Sequence, residues 1–107
     1  MGAEIARALA QAGARVAISD IQFDAAELTA GNIRETGGIA IAVKHDVTCE
    51  ADWEGALHKA VEVLGGLDIV VNNAGIEQVG LITETTLEEF TRLHAINVGG
   101  VFLGLKH

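Results

Sequence analysis

The feature that most constrains the fold of this chain is a regular alternation between helical and strand-like patterns of apolar residues. Apolar residues at helical spacing predict helices that glycines terminate, and short continuous apolar runs predict strands that are buried on both faces. In chain order, the predicted elements are a helix over 1–12, a strand over 15–20, a helix over about 24–36, a strand over 39–43, a helix along the stripe from 53 to 64, a strand over 67–72 and a helix that begins after 86. Strands that alternate with helices are parallel and joined by right-handed crossovers, so the predicted fold class is an open α/β sheet.

Helix boundaries give further local expectations. Thr48 is the expected N-cap of the third helix, and Trp53 on that helix is expected in the core. Thr86 and Glu89 have the spacing of a capping box, which predicts the start of the last helix.

Composition limits the classes of protein and partner. The 107 residues predict one domain, 1–107, and the 50% hydrophobic content is enough to build a core. A net charge of −8 without a basic stripe argues against a nucleic-acid partner. No apolar run is long enough for a membrane span and no signal peptide is evident, so the expectation is a cytoplasmic protein. Cys49 is the single cysteine and the four histidines lack ligand spacing, so no metal site is predicted.

Candidate site residues follow the predicted strands. Ligands of open α/β sheets bind at the carboxyl ends of the strands, where Asp20, His45-Asp46-Val47 and Asn72-Asn73-Ala74-Gly75 occur. A strand-end acid such as Asp20 is suited to accept hydrogen bonds from the adenosine ribose of a dinucleotide. Asp20 lies 18 residues after Gly2, close to the spacing of about 20 residues that separates a glycine-rich phosphate loop from such an acid. A simple turn-initiating acid is the alternative interpretation of Asp20.

The other candidates have similar pairs of interpretations. Asp46 and Val47 have the chemistry to contact adenine, or they are merely the entry to a helix. The run Asn72–Gly75 allows close backbone approach to a flat ligand, although turns also favour Asn and Gly. Asn97 lies on an apolar helix face and needs hydrogen-bond partners; either the backbone satisfies it, or it bends the helix and holds water beside an active site.

Together these segments resemble the short-chain dehydrogenase/reductase family. The residues that carry the resemblance are Met1–Asp20, the HDVT run at 45–48, LDIVVNNAG at 67–75 and INVGGVFLG at 96–104, in the order of the family. By position, Gly2 is similar to the last glycine of the family's phosphate loop, and Asp20 with Ile21 to its ribose-reading pair. Asp46 with Val47 resembles the adenine pair, Asn73-Ala74-Gly75 the wall beside the nicotinamide ribose, and Asn97 the catalytic asparagine that supports an active-site water and lysine. No basic residue directly follows Asp20, which favours NAD over NADP.

The resemblance also implies parts that residues 1–107 do not contain. The family's first strand and first loop glycines are expected upstream, and its catalytic Ser and YxxxK motif downstream; the chain has no tyrosine. In the family's doubly wound strand order, the first strand lies between residues 15–20 and 67–72. The expectation is therefore an incomplete Rossmann-like domain, inactive and poorly stable when expressed alone.

The implied function is NAD(P)-dependent interconversion of an alcohol and a ketone or other carbonyl by hydride transfer, in a homo-oligomer (dimer or tetramer). Two alternatives stay open: a non-catalytic dinucleotide-binding or interaction module, and a Rossmann enzyme of the extended branch such as a sugar-nucleotide epimerase. Phe102 and Leu105 are either subunit contacts or ordinary core residues.

Overall fold

A computed structural model describes all of residues 1–107 and contains five α-helices, two strands and one π-helical turn. The elements are α1 (Gly2–Gln11), β1 (Val16–Asp20), α2 (Phe23–Glu35), β2 (Ala40–Lys44), α3 (Glu50–Leu64), α4 (Leu87–His94), the π-helical turn Ala95–Gly99 and α5 (Gly100–Lys106). The α/β class predicted from the alternation is confirmed, and the first four elements lie within two residues of their predicted positions. None of the helices is both long and apolar enough to cross a bilayer.

The sheet consists of β1 and β2, which pair in parallel with Val16 opposite Ala40 and Asp20 opposite Lys44. Side chains of a strand alternate between the faces of the sheet, and Ala40 and Ala42 point to the face covered by α2. The main core lies on that face and consists mostly of small side chains, which lets the helices approach the strands closely. Its buried members are Ala6, Ala26, Ala30, Ile33, Ala40 and Ala42.

Helix α3 packs on the opposite face through Trp53, which is 7% exposed, so its predicted core position is confirmed. The predicted cap of this helix is wrong: the N-cap is Cys49, without a side-chain cap. The Thr48 hydroxyl instead donates to Asp46 Oδ1 at 2.7 Å, which ties it into the turn before the helix. At α4 the predicted capping box is present, with the Glu89 N–H donating to Thr86 Oγ1 at 3.2 Å and the Thr86 N–H donating to Glu89 Oε2 at 2.8 Å.

The predicted strand over 67–72 is not present as a strand. No backbone N–H of these six residues donates a hydrogen bond within the protein, and only the Val71 carbonyl accepts one, from the Asn73 N–H. Leu67, Ile69, Val70 and Val71 are between 43 and 66% exposed. A strand needs a neighbour to pair with, and an open cleft separates this segment from β1. The apolar pattern was therefore correctly located, but the hydrogen bonds that define a strand are lacking.

The last helical region runs without a break from Leu87 to Lys106, with the π-helical turn between α4 and α5. Phe102 and Leu105 on α5 are 62 and 78% exposed, so core packing within residues 1–107 does not account for them. Their role as subunit contacts stays a prediction.

Candidate functional site

A cleft of about 890 Å³ opens between β1 and the 67–72 segment, beside the N-terminus of α1. Parallel strands place their carboxyl ends at one edge, and the loops after β1, β2 and residue 72 meet around this cleft. All eight residues predicted to bind a dinucleotide line it, although they come from four separate parts of the sequence. They are Gly2, Asp20, Ile21, Asp46, Val47, Asn73, Ala74 and Gly75.

Gly2 begins α1 beside the loop at 73–75. A Cβ atom on Gly2 would lie 2.6 Å from Asn73 Nδ2, so a side chain here would displace the amide. The N–H groups of Gly2 and Ala3 donate to no protein acceptor, because the first bonds of the helix run from Glu4 and Ile5 to the Met1 carbonyl. Free N–H groups at a helix N-terminus favour an anionic group such as a phosphate.

Asp20 ends β1 and is exposed at the rim of the cleft. Its Oδ1 atom accepts from the Gln22 N–H at 2.8 Å, which orients the carboxylate through the turn into α2. Oδ2 has no partner in the protein and so keeps the capacity to accept hydrogen bonds from a ligand hydroxyl. Asp20 can therefore be both a turn-initiating acid and a ligand acceptor, because the turn occupies Oδ1 and leaves Oδ2 free.

Asp46 and Val47 form the turn that follows β2. Asp46 Oδ1 accepts from the Thr48 N–H at 2.9 Å and from its hydroxyl, and these bonds lower the pKa of Asp46 below its ordinary value. The Val47 carbonyl accepts from Trp53 Nε1 at 3.0 Å, whereas the Val47 N–H has no partner in the protein. The turn is therefore hydrogen-bonded to α3 through Trp53, while the Val47 N–H stays free to donate to a ligand.

His45 directly precedes this turn and is buried against Trp53 of α3. The sequence pattern did not predict this contact. The residue is 3% exposed, with Nδ1 3.1 Å from Ser19 Oγ and the ring edge-on to Trp53 at a centroid distance of 4.4 Å. Burial lowers the pKa of His45, and the charges of Asp52 and Asp46 oppose this only in part. Nε2 is buried without a partner. The sequence places His45 at the end of a strand and argues only against a metal-ligand role, and the tertiary packing identifies it as a buried polar group.

Asn97 lies apart from the residues that line the cleft, but it contacts the loop that does. Its Oδ1 atom accepts from the Ile76 N–H at 2.9 Å, and its Nδ2 donates to the Ile76 carbonyl at 2.8 Å. Asn97 is also the central residue of the π-helical turn Ala95–Gly99. The Ile76 backbone thus satisfies the amide, as the first interpretation predicts, and the helix departs from α geometry at the same residue. Its support of an active-site water stays a prediction.

Two glycines of α5 were missed as determinants of the site. A Cβ atom on Gly100 would lie 2.9 Å from Val47 Cγ2, and one on Gly104 would lie 2.2 Å from Asn72 Oδ1 and 2.7 Å from Trp53 Cη2. The absence of side chains at these positions brings α5 against the turn after β2 and the end of the 67–72 segment. A glycine pair at spacing i and i+4 in a helix was the available signal.

Comparison with known proteins gives a consistent assignment. The family model described as enoyl-(acyl carrier protein) reductase matches residues 1–107. A 2,5-dichloro-2,5-cyclohexadiene-1,4-diol dehydrogenase of Sphingobium indicum is 38% identical over 106 residues, which are 99% of this chain and 42% of that protein. A 3-alpha-(or 20-beta)-hydroxysteroid dehydrogenase of Mycobacterium tuberculosis is 39% identical, over 99% of this chain and 40% of that protein.

Solved structures agree with the sequence relatives. The crystal structure of a short-chain type dehydrogenase/reductase from Mycobacterium marinum matches with a TM-score of 0.93 and 41% identity, covering 98% of this chain and 42% of that one. The chain thus spans about two fifths of the length of these relatives. A match to the family model over every residue, together with this structural likeness, shows that the chain belongs to the short-chain dehydrogenase/reductase family.

Proposed function

We propose that residues 1–107 form the coenzyme-binding part of an NAD-dependent oxidoreductase that interconverts an alcohol and a carbonyl compound. The observation that carries the proposal is the convergence of Gly2, Asp20, Val47 and the loop at 73–75 on one cleft. Gly2, Asp20 and Val47 each offer a different hydrogen-bonding group to a dinucleotide, and the loop at 73–75 lies beside Gly2. The dehydrogenase names of the relatives support the same reaction class.

The residues present fit such a coenzyme. The free N–H groups of Gly2 and Ala3 suit a pyrophosphate, and a side chain at Gly2 would fill the space beside Asn73. The free Oδ2 of Asp20 suits a ribose hydroxyl, and the unpartnered Val47 N–H suits an adenine nitrogen. When bound, a nicotinamide coenzyme supplies the hydride chemistry, while these residues hold and orient it.

We further propose a preference for NAD over NADP. The carboxylate of Asp20 would repel a 2′-phosphate, and the exposed residues that follow it, Ile21 and Gln22, carry no positive charge. The nearest cation along the sheet is Lys44, the register partner of Asp20, and no ion pair joins the two. Asp20 therefore keeps its charge available toward the ribose.

Coenzyme titration of the full-length protein tests both proposals. Asp20→Asn should weaken NADH binding by about tenfold or more, because a hydrogen bond to a charged group is lost. The same substitution should reduce the ratio between the dissociation constants for NADPH and NADH, because it removes the charge that repels the 2′-phosphate. The matched control is Asp24→Asn, an exposed acid four residues away that does not line the cleft. Unchanged NADH affinity in Asp20→Asn would exclude the assignment of this residue.

The proton transfer that accompanies hydride transfer has no obvious donor within residues 1–107, which include no tyrosine. We propose that residues 1–107 bind coenzyme and that Asn97 acts on the reaction through the loop at Ile76. In the full-length protein, an Asn97→Ala variant that keeps coenzyme affinity while turnover falls would support this division. Turnover by residues 1–107 alone would refute it.

A further inference from the structure

We propose that His45 is a positioning residue for the adenosine end of the coenzyme, and that its neutral ring holds Asp20 and Val47 in place to bind it. Protonation of the ring should release both residues, so the affinity for coenzyme should fall in acid. This inference rests on the proposed coenzyme-binding role, and it adds a pH-dependent control of the same site.

His45 contacts the end of β1 twice. Its N–H donates to the Asp20 carbonyl at 3.0 Å, and its Nδ1 atom lies 3.1 Å from Oγ of Ser19. The backbone and the side chain of His45 therefore hold two consecutive residues of β1. Asp20 also carries the free carboxylate oxygen that is suited to the ribose, so a movement of His45 shifts that oxygen.

On its other side, the ring contacts the residue that supports the turn at 46–47. It packs edge-on against Trp53 at a centroid distance of 4.4 Å, and Trp53 Nε1 donates to the Val47 carbonyl at 3.0 Å. The N–H of the same Val47 is the free donor suited to adenine. His45 thus lies between the groups proposed to bind ribose and adenine, and because it is buried it acts through these neighbours.

Only the neutral ring suits this position. A neutral imidazole has one N–H donor and one acceptor, whereas a protonated imidazole has two donors. Nδ1 has Ser19 Oγ as its partner, but Nε2 is buried and has no partner within residues 1–107. Protonation therefore adds a positive charge and a second N–H to a site that pairs only one nitrogen. The expected response is rotation of the ring out of its contacts with Ser19 and Trp53.

The charges around the ring offset this cost only in part. Asp52 on α3 and Asp46 in the turn favour the proton, but burial outweighs them and lowers the pKa of His45 below its ordinary 6.5. Below the lowered pKa the free protein carries a proton that coenzyme binding must release, so affinity falls as the pH falls. The other charged groups at this end of the sheet are Asp20 of β1, its register partner Lys44 of β2, and the ion pairs of Glu50 with Lys106 and His107.

Calorimetric titration of the full-length protein with NAD⁺ between pH 5 and 8 tests the proposal. NAD⁺ is the probe because the reduced coenzyme decomposes in acid. The dissociation constant should stay constant above about pH 7 and rise by about fivefold or more at pH 5.

Two variants assign this pH dependence to one ring. The amide of His45→Asn can occupy the position of Nδ1 but cannot take up a proton, so its dissociation constant should change by less than about twofold over the same range. His58→Asn is the matched control, because His58 is an exposed histidine of α3 that does not line the cleft. This control should keep the pH dependence of the unsubstituted protein.

A reciprocal measurement keeps the test decisive if His45→Asn fails to fold. Linkage is mutual, so NAD⁺ must lower the pKa of His45, followed by NMR, by the factor by which protonation weakens NAD⁺ binding. Three results would overturn the proposal: an affinity independent of pH, a pH dependence that persists in His45→Asn, or a His45 pKa that NAD⁺ leaves unchanged. Absence of NAD⁺ binding even at pH 8 would instead refute the coenzyme assignment, and this inference with it.

Discussion

The Asn97 side-chain amide makes two hydrogen bonds with the Ile76 backbone: its Oδ1 accepts from the Ile76 N–H at 2.9 Å, and its Nδ2 donates to the Ile76 carbonyl at 2.8 Å. The bonds join the π-helical turn to the loop that carries Asn73, Ala74 and Gly75. The same side chain has a predicted role near the reacting groups, so its substitution is informative about both stability and reaction.

Asn97→Asp should remove one of these two hydrogen bonds, the one that the Asn97 amide donates to the Ile76 carbonyl. A carboxylate still accepts from the Ile76 N–H but repels the Ile76 carbonyl, so unfolding in urea of the full-length protein should become easier by about 1–3 kcal/mol. Coenzyme turnover should fall as the loop at 73–76 loses its position. Asn32→Asp is the matched control because Asn32 is exposed, and it should change stability by less than about 0.5 kcal/mol. Equal stability of the two variants would contradict a stabilising role for the hydrogen bonds between Asn97 and Ile76.

Gly104→Ala should destabilise the protein although alanine is the better helix former. The new Cβ atom would lie 2.2 Å from Asn72 Oδ1 and 2.7 Å from Trp53 Cη2, and overpacking of this kind costs about 1–3 kcal/mol. Gly55→Ala in α3 is the matched control, because a Cβ atom there meets nothing within 4 Å. It should stabilise the helix by up to about 1 kcal/mol. Urea denaturation of both variants measures the difference, and a stabilised Gly104→Ala would show that α5 packs elsewhere.

His45 should make stability depend on pH on the acid side of neutrality. Burial lowers its pKa below the ordinary 6.5, so below that pH the unfolded state binds more protons than the folded state. The contribution of His45 is complete above pH 6.5 and decreases as the pH falls toward its lowered pKa. Urea denaturation of the full-length protein between pH 5 and 8 should show this decline, and a His45→Gln variant should show a smaller one. Titration of the His45 ring by NMR gives the pKa directly; a value above 6.5 would reverse the prediction.

Residues 1–107 expressed alone should be poorly stable or aggregate. The apolar side chains at 67, 69, 70 and 71 are about half exposed and their backbone is unpaired, which is the condition that promotes edge-to-edge association. Sedimentation velocity should detect large species at micromolar concentration. A monomer with a single cooperative thermal transition would be inconsistent with this expectation.

Local pattern was sufficient for most of the fold. The helices ended where Gly13, Gly37 and Gly65 adopt positive φ, and Thr86 with Glu89 formed the capping box that their spacing predicts. These features depend on a few neighbouring residues, so they are readable from sequence. The position of Asp20 at the end of a strand is of the same kind.

By itself the sequence determined which segments become helices, which become apolar runs and which polar residues follow them, because periodicity and turn chemistry are local. Only the tertiary structure decided that residues 67–72 lack a strand partner, that His45 is buried against Trp53 and that Asn97 binds Ile76. Each of those outcomes joins residues far apart in the chain, and pairing and burial are settled by which elements become neighbours in space.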